Sequence, residues 1–212
     1  MAMQTILAKL NEGVVLTGNM AQDVAVFLKH HDCPKTAVHS AAVAVEARRI
    51  AVLTGVEEVR AEQAAWLHDI SAVIPAGERV AVAEALDIPV LPEERVLPMI
   101  LHQKLSVVLA HDLFGVTDTG VLNAIGCHTT LKEGALPLDK VLFVADKLAW
   151  DQPGEPPYRV ALEAALARSL EAAACVYLRY LWGRRATLAV IHPWMVAAYA
   201  HLCKSRGLGP GE

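Results

Sequence analysis

The sequence predicts an all-α protein, a single-domain helical bundle of roughly eight to ten helices. Three observations carry that expectation. Apolar and small residues recur at helical spacing along most of the 212 residues. Alternating strand patterns bounded by turn residues are nearly absent. Hydrophobic residues make up 54% of the chain and charged residues 20%, enough for one sizeable core without the composition of a disordered chain.

The elements follow in order. Residues 1–19 read as an N-terminal extension or helix, and 20–204 as the body of the domain. "KTAVHSAAVAVEARRIAVLTG" sets small or apolar residues at Val38, Ala42 and Val45, ahead of Arg49, with a parallel row at Ala41, Ala44 and Val52, and stops at Gly55. "VEEVRAEQAAWLHDI" has acids in its first turn, where the helix dipole favours them. "PEERVLPMILHQKLSVVLAHDLFG" reads as two helices broken near Pro98 to His102. "TDTGVLNAIGCHTT" opens on capping residues. "LPLDKVLFVADKLAW" begins after a proline and ends before "DQPGEPP", the strongest loop signal in the chain. "VALEAALARSLEAAACVYLRYLWG" is rich in strong helix formers. "HPWMVAAYAHLCKS" places proline where a first helical turn tolerates it. The tail, 205–212, with "RGLGPGE", is expected to be disordered.

Bulk properties narrow the function. No run of about 18 uncharged apolar residues is present, so no membrane span is expected. The N-terminus lacks the basic and apolar regions of a secretory signal. The four cysteines (Cys33, Cys127, Cys175, Cys203) form no CxxC pair and suit reduced thiols in a cytoplasmic protein. A net charge of −4 gives no electrostatic reason to expect nucleic acid as a partner. A small anionic ligand would need a local basic pocket. The apolar composition leaves room for a homodimer.

Nine His and nine Asp placed at random would give about 0.4 His-Asp dipeptides in this length, yet the sequence has three. His31-Asp32 lies in "KHHDCP", a polar helix end running into proline. His111 follows His102 by nine residues, about 180° round a continuous helix, so the two cannot serve one site. His68-Asp69 differs, because it follows the apolar "AAWL". Four further ligand-competent residues share such surroundings. His39 has Ala42, Val43 and Ala47 on its face, and His102 is flanked by Leu101 and Leu105. His128 follows Val121, Ala124 and Ile125 by about one turn, and Asp146 follows Val144 and Ala145. Any one of the six could be a satisfied core residue. Six such groups would each need a partner, and a shared pair of cations satisfies all of them.

Four His and two Asp make a nitrogen and oxygen site without thiolate, suited to Fe, Mn, Co, Zn or Ni. Six protein ligands are too many for one catalytic metal with an open position, and they suit two. Two metals about 3.5–4 Å apart lower the pKa of water between them and stabilise charge on a phosphoryl oxygen. Asp69 is the natural bridge, because a carboxylate offers two oxygens. His68 and Asp69 are the residues expected at the centre of catalysis.

The order His39, His68-Asp69, Asp146 resembles the HD-domain superfamily of metal-dependent phosphohydrolases. In detail "AAWLHDI", "LHQKLSVVLAHDLFGVTDTGVLNAIGCHTT", "LDKVLFVADKL" and "IHPWMVAAY" resemble four blocks of the YqeK family of HD proteins, in the same order. The resemblance implies an all-helical fold, a di-iron centre and symmetric hydrolysis of diadenosine tetraphosphate to two ADP. It matches His39, His68, Asp69 and Asp146 to the basic ligand set, and His102 and His128 to the histidines completing a second metal site. Several basic positions of the family are replaced. Ser71-Ala72 follow Ile70 where H-D-I-A-K is usual, Thr36 stands in place of an arginine with Lys35 beside it, and Leu148–Gln152 replace I-E-P-x-R. Gln103 and Lys104 take the place of a glycine and a proline. The candidates left for contact with a nucleotide substrate are Lys104, Thr129, Lys132, Lys147 and His192. Each has a plainer reading: a surface lysine, or a capping role for Thr129 and His192. Cys127 reads as a core residue rather than a nucleophile. Trp150 and Trp194 could stack a base, although packing is the default. The eroded basic contacts keep two alternatives open: a single-metal nucleotide phosphatase of the same fold, and a nucleotide-binding regulator without turnover.

Overall fold

The computed structural model describes residues 2–204, all-helical with no strand among them; the expected disordered tail, 205–212, lies outside the described residues. The described residues form twelve α-helices: α1 (Ala2–Asn11), α2 (Met20–His30), α3 (Pro34–Thr54), α4 (Glu58–Leu67), α5 (Arg79–Ala85), α6 (Pro92–Val96), α7 (His102–Asp112), α8 (Thr119–Cys127), α9 (Pro137–Leu148), α10 (Arg159–Leu166), α11 (Leu170–Gly183) and α12 (Pro193–Tyr199). The count exceeds the sequence expectation because short helices form where sequence periodicity is too brief to read. The "VALEAALARSLEAAACVYLRYLWG" stretch also divides, at Ser169, whose hydroxyl accepts from Ala172 N–H and starts α11.

Local chemistry sets the ends of the helices that carry the site. Pro34 supplies the fixed φ of a first turn for α3, and Gly55 ends it in the left-handed region at φ 70°. Glu57 caps α4 by accepting from Val59 and Arg60 N–H. Asp118 caps α8 by accepting from Gly120 and Val121 N–H. Pro137 opens α9, and Asp139 turns back to accept from Leu136 N–H. The interruption expected near Pro98 is a 3-10 turn, Pro98–Leu101, leading straight into α7.

α3 packs against α4, α9 and α2, while α8 packs against α7, α9 and α4. One core results, with Phe27, Leu67, Ile70, Leu101, Leu105, Ile125 and Phe143 fully buried. α4, α7, α8 and α9 therefore converge with α3 around a common interior, and each brings one candidate ligand or pair to it. Among the described residues, no helix is long and apolar enough to cross a membrane.

One expectation is corrected. Cys175 and Cys203 are not both free thiols: they are joined, with Cα atoms 5.6 Å apart. The packing of α11 against the C-terminal π-helical turn Ala200–Lys204 brings together residues 28 apart in sequence, which spacing alone could not show. Cys33 and Cys127 remain free.

Candidate metal centre

His68 and Asp69 lie at the end of α4, where the helix gives way to the 3-10 turn Ile70–Val73. His102 opens α7, His128 ends α8, His39 sits one turn into α3, and Asp146 lies in the last turn of α9. Five segments distant in sequence thus deliver six side chains to one place. His39 Nε2 is 3.1 Å from Asp146 Oδ1. His68 Nε2 lies 3.5 Å from Asp69 Oδ2 and 3.7 Å from Asp146 Oδ1. Asp69 Oδ1 lies 3.2 Å from His102 Nε2 and 3.4 Å from His128 Nε2. Two subsets have ligand atoms close enough to hold a metal ion: His39, His68 and Asp146, and His68, Asp69 and His128.

The backbone fixes how three of the rings point. The Nδ1 atoms of His68, His102 and His128 each meet the carbonyl three residues earlier, of Ala65, Met99 and Ile125. A carbonyl only accepts, so each Nδ1 carries the hydrogen, and in a neutral ring Nε2 is left as a lone pair facing inward. His102 and His128 then direct Nε2 atoms at one another across 2.8 Å. Two lone pairs cannot face each other at that distance without a proton or cation between or beside them. His68 Nε2 and Asp69 Oδ1 are buried and have no hydrogen-bond partner, which is costly inside a protein. The donor set thus fits metal ions and is poorly served by the protein alone.

In the metal-free cluster the carboxylates favour a proton on His68 Nε2, the position a bound cation would take. Burial alone would lower the His68 pKa, but the Asp69 and Asp146 carboxylates raise it to about 9. Burial would raise that of Asp69; His68 and His102 outweigh it and hold the carboxyl well below its usual range. His128, buried and beside two other imidazoles, falls to about 4. The cluster is closed on the His68 and His128 side, 0% and 2% exposed, and open at Asp69, whose side chain keeps 25% of its surface.

The expected substrate contacts divide. Thr129 belongs to the cluster, with its hydroxyl 3.1 Å from His102 Nε2 and 3.2 Å from His128 Nε2. Lys147 pairs with Asp146 and lies over the Phe143 and Tyr177 rings. Burial would lower its pKa, but the Asp146 charge raises it. The remaining three have other partners. Lys104 lies about 200° from His102 round α7 and donates to Glu94 Oε2 and Pro89 O, each at 2.8 Å. His192 caps α12 through Nδ1 and points Nε2 at Glu94, 3.3 Å away. Lys132 lies 3.4 Å from Asp139. These three are not gathered at the cluster, because a carboxylate on their own face of the fold holds each of them. Cys127 is buried in α8, and burial pushes its thiol up to about 12, so it is no nucleophile at neutral pH.

Two residues of the site were not singled out from sequence. Gln103 is fully buried, and its Oε1 accepts from the backbone N–H of Thr129 at 3.2 Å, fixing the turn after His128. Arg79, the first residue of α5, donates to Ile74 O and to Met99 O, the same carbonyl that holds the His102 ring. Burial lowers its pKa, and the nearby Asp69 charge opposes that. No carboxylate of the described residues pairs with it. No motif marks a residue ten positions past Asp69; the single cue available was a lone arginine after a proline and glycine turn.

A helical core whose segments converge on a His and Asp cluster defines an all-α fold with a candidate metal centre. Comparison with known proteins narrows the class. The HD domain family matches residues 36–151. The chain belongs to the HD domain family. It is 44% identical over 135 residues to an uncharacterized protein in the pepC 5' region of Lactococcus lactis subsp. cremoris, covering 64% of this chain and 68% of that one. It is 28% identical over 137 residues to the symmetrical bis(5'-nucleosyl)-tetraphosphatase of Bacillus subtilis (strain 168), covering 63% and 72%. The fold is similar to that of a predicted HD superfamily hydrolase involved in NAD metabolism from Clostridium acetobutylicum, with a TM-score of 0.79, 21% identity, and coverage of 90% and 99%.

Proposed function

We propose that the chain hydrolyses a phosphoanhydride bond of a dinucleoside polyphosphate, converting diadenosine tetraphosphate to two ADP, with two metal ions held by His39, His68, Asp69, His102, His128 and Asp146. Iron is the first choice, and Mn, Co, Zn or Ni share the donor preference. The observation that carries this reading is the set of inward Nε2 atoms, above all the His102 and His128 pair at 2.8 Å. Asp69 supports the two-metal version, because its Oδ1 faces His102 and His128 while its Oδ2 faces His68. The B. subtilis relative lends the substrate class.

When bound, the metal pair would supply Lewis acidity and an activated water for displacement at phosphorus. The protein's own groups do the rest. Three backbone carbonyls hold the imidazoles in the ligating tautomer. Lys147 orients Asp146 through Oδ2 while His39 meets Oδ1. Thr129 presents a hydroxyl to a phosphoryl oxygen, and Arg79 adds a positive charge at the open Asp69 side. Arg79 thereby offsets the family lysine replaced by Ala72.

The test is incubation of the Fe-, Mn- or Co-loaded chain with diadenosine tetraphosphate and separation of the products. Two ADP per substrate is the expected result. ATP with AMP, or tight binding without turnover, rejects it. His102→Ala or His128→Ala should reduce the metal content from two ions per chain to one.

A further inference from the structure

A groove of about 770 Å³ lies along the N-terminal half of α3, and His39 forms part of its wall. Pro34, Val38 and Ala42 of α3 face Ala149, Trp150 and Pro153 of the loop after α9 across it. Its size is in the range of small-molecule sites. Trp150 is 38% exposed, which leaves part of its ring open to the groove, and it is steadied by an edge contact with buried Tyr158, centroids 6.3 Å apart. Lys35 lines the same groove one turn before His39, and no carboxylate of the described residues pairs with it. Asp151 and Gln152 complete the rim, where Gln152 Nε2 donates to Asp151 Oδ1 at 3.0 Å. The groove is apolar and aromatic at the Trp150 side, cationic at Lys35, and touches the metal cluster at His39.

We infer that this groove is the nucleoside subsite, with the base of a nucleoside diphosphate or polyphosphate lying against the Trp150 indole and its phosphates running past Lys35 toward His39. This rests on the proposed hydrolase reading and specifies where that substrate's recognition comes from. Every base has a face that stacks on an aromatic ring, so the contact discriminates nucleotides from inorganic phosphates rather than one base from another. Trp194, the other tryptophan a base could meet, is half-buried beside Lys104 on the opposite side of α7 from His102.

The test measures binding of ADP and of inorganic pyrophosphate to the metal-loaded full chain by calorimetry, with metal content assayed in parallel. Wild type should bind ADP more tightly than pyrophosphate. Trp150→Ala should weaken ADP about tenfold and leave pyrophosphate within twofold, and Trp150→Phe should restore most of the loss. ADP should quench tryptophan fluorescence in wild type, and Trp150→Phe should lose that quench, a readout that does not depend on the alanine variant folding well. Equal weakening of both ligands, or unchanged ADP binding, overturns the subsite. A wild type that binds pyrophosphate as tightly as ADP overturns the subsite alone. A metal-loaded wild type that binds neither overturns the hydrolase reading with it.

Discussion

Two buried polar clusters in this protein have similar ingredients and opposite states. Around Glu94, every charge is answered: Lys104 meets Oε2, His192 faces Oε1, and Leu91 N–H donates as well. Around Asp69, the set stays incomplete: Asp146 is met by His39 and Lys147, but His68 Nε2 and Asp69 Oδ1 have no hydrogen-bond partner and two imidazoles confront each other. Both clusters join segments distant in sequence, and both depress carboxyl pKa values against burial. Histidine and carboxylate in proximity therefore do not mark a functional site. Convergence of unpartnered groups does: Ser40 Oγ, Trp66 Nε1 and Asp139 Oδ1 are also buried without partners, but His68 and Asp69 bring theirs to a set of further metal-competent side chains.

The contrast can be broken most severely at the metal cluster. Asp69→Ala should lower kcat/KM by on the order of a thousandfold or more, since it removes the group that faces both sets of histidines. Metal content should fall with it, while circular dichroism of the metal-free chain stays close to wild type. Activity retained within tenfold would mean that Asp69 is a core residue after all. Substituting the Glu94 cluster should have the reverse signature. Glu94→Ala strands Lys104 and His192 inside the fold and should cost about 3–5 kcal/mol in denaturant unfolding, with metal content unchanged.

Acid should separate the two wild-type states as well. Burial opposes ionisation of Glu94, but His192, Leu91 N–H and Lys104 lower its pKa below the ordinary value. A folded pKa below the unfolded one gives stability that is full above the unfolded value, about 4.5, and is lost as pH falls through the folded value. Wild type should therefore lose unfolding free energy below about pH 4.5, and Glu94→Gln should show a shallower loss over that window. Identical slopes would remove Glu94 from the account. A milder effect is expected at Arg79, where Arg79→Ala should raise KM about tenfold with kcat little changed and metal content intact. A fall in metal content instead would make Arg79 a support for His102 through the Met99 carbonyl. The smallest effect tests the helix break: Ser169→Ala should cost about 1 kcal/mol in unfolding, with no change in metal binding or activity.

Much of this was legible in sequence, for identifiable reasons. His39, His68, Asp69, His102, His128 and Asp146 stand out as polar residues on apolar faces, and helical periodicity is a local signal that reports such faces directly. The satisfied cluster was not legible. Lys104 and His192 lie close in sequence to motif residues and looked like substrate contacts, but their partner Glu94 is 10 residues from one and 98 from the other. Pairing across such distances depends on tertiary packing. The same holds for the Cys175 and Cys203 bridge and for Arg79, which reaches the site through two carbonyls rather than through any sequence pattern. Position along a motif predicts which residues can meet; only packing decides which of them are already taken.

The measurement closest to the central claim is anomalous scattering from crystals of the metal-loaded protein. Two peaks per chain are expected inside the His and Asp cluster, with Asp69 between them and all six side chains as ligands. Crystals that show the six residues in the same arrangement around ordered water alone, after loading with Fe, Mn or Co, would contradict it.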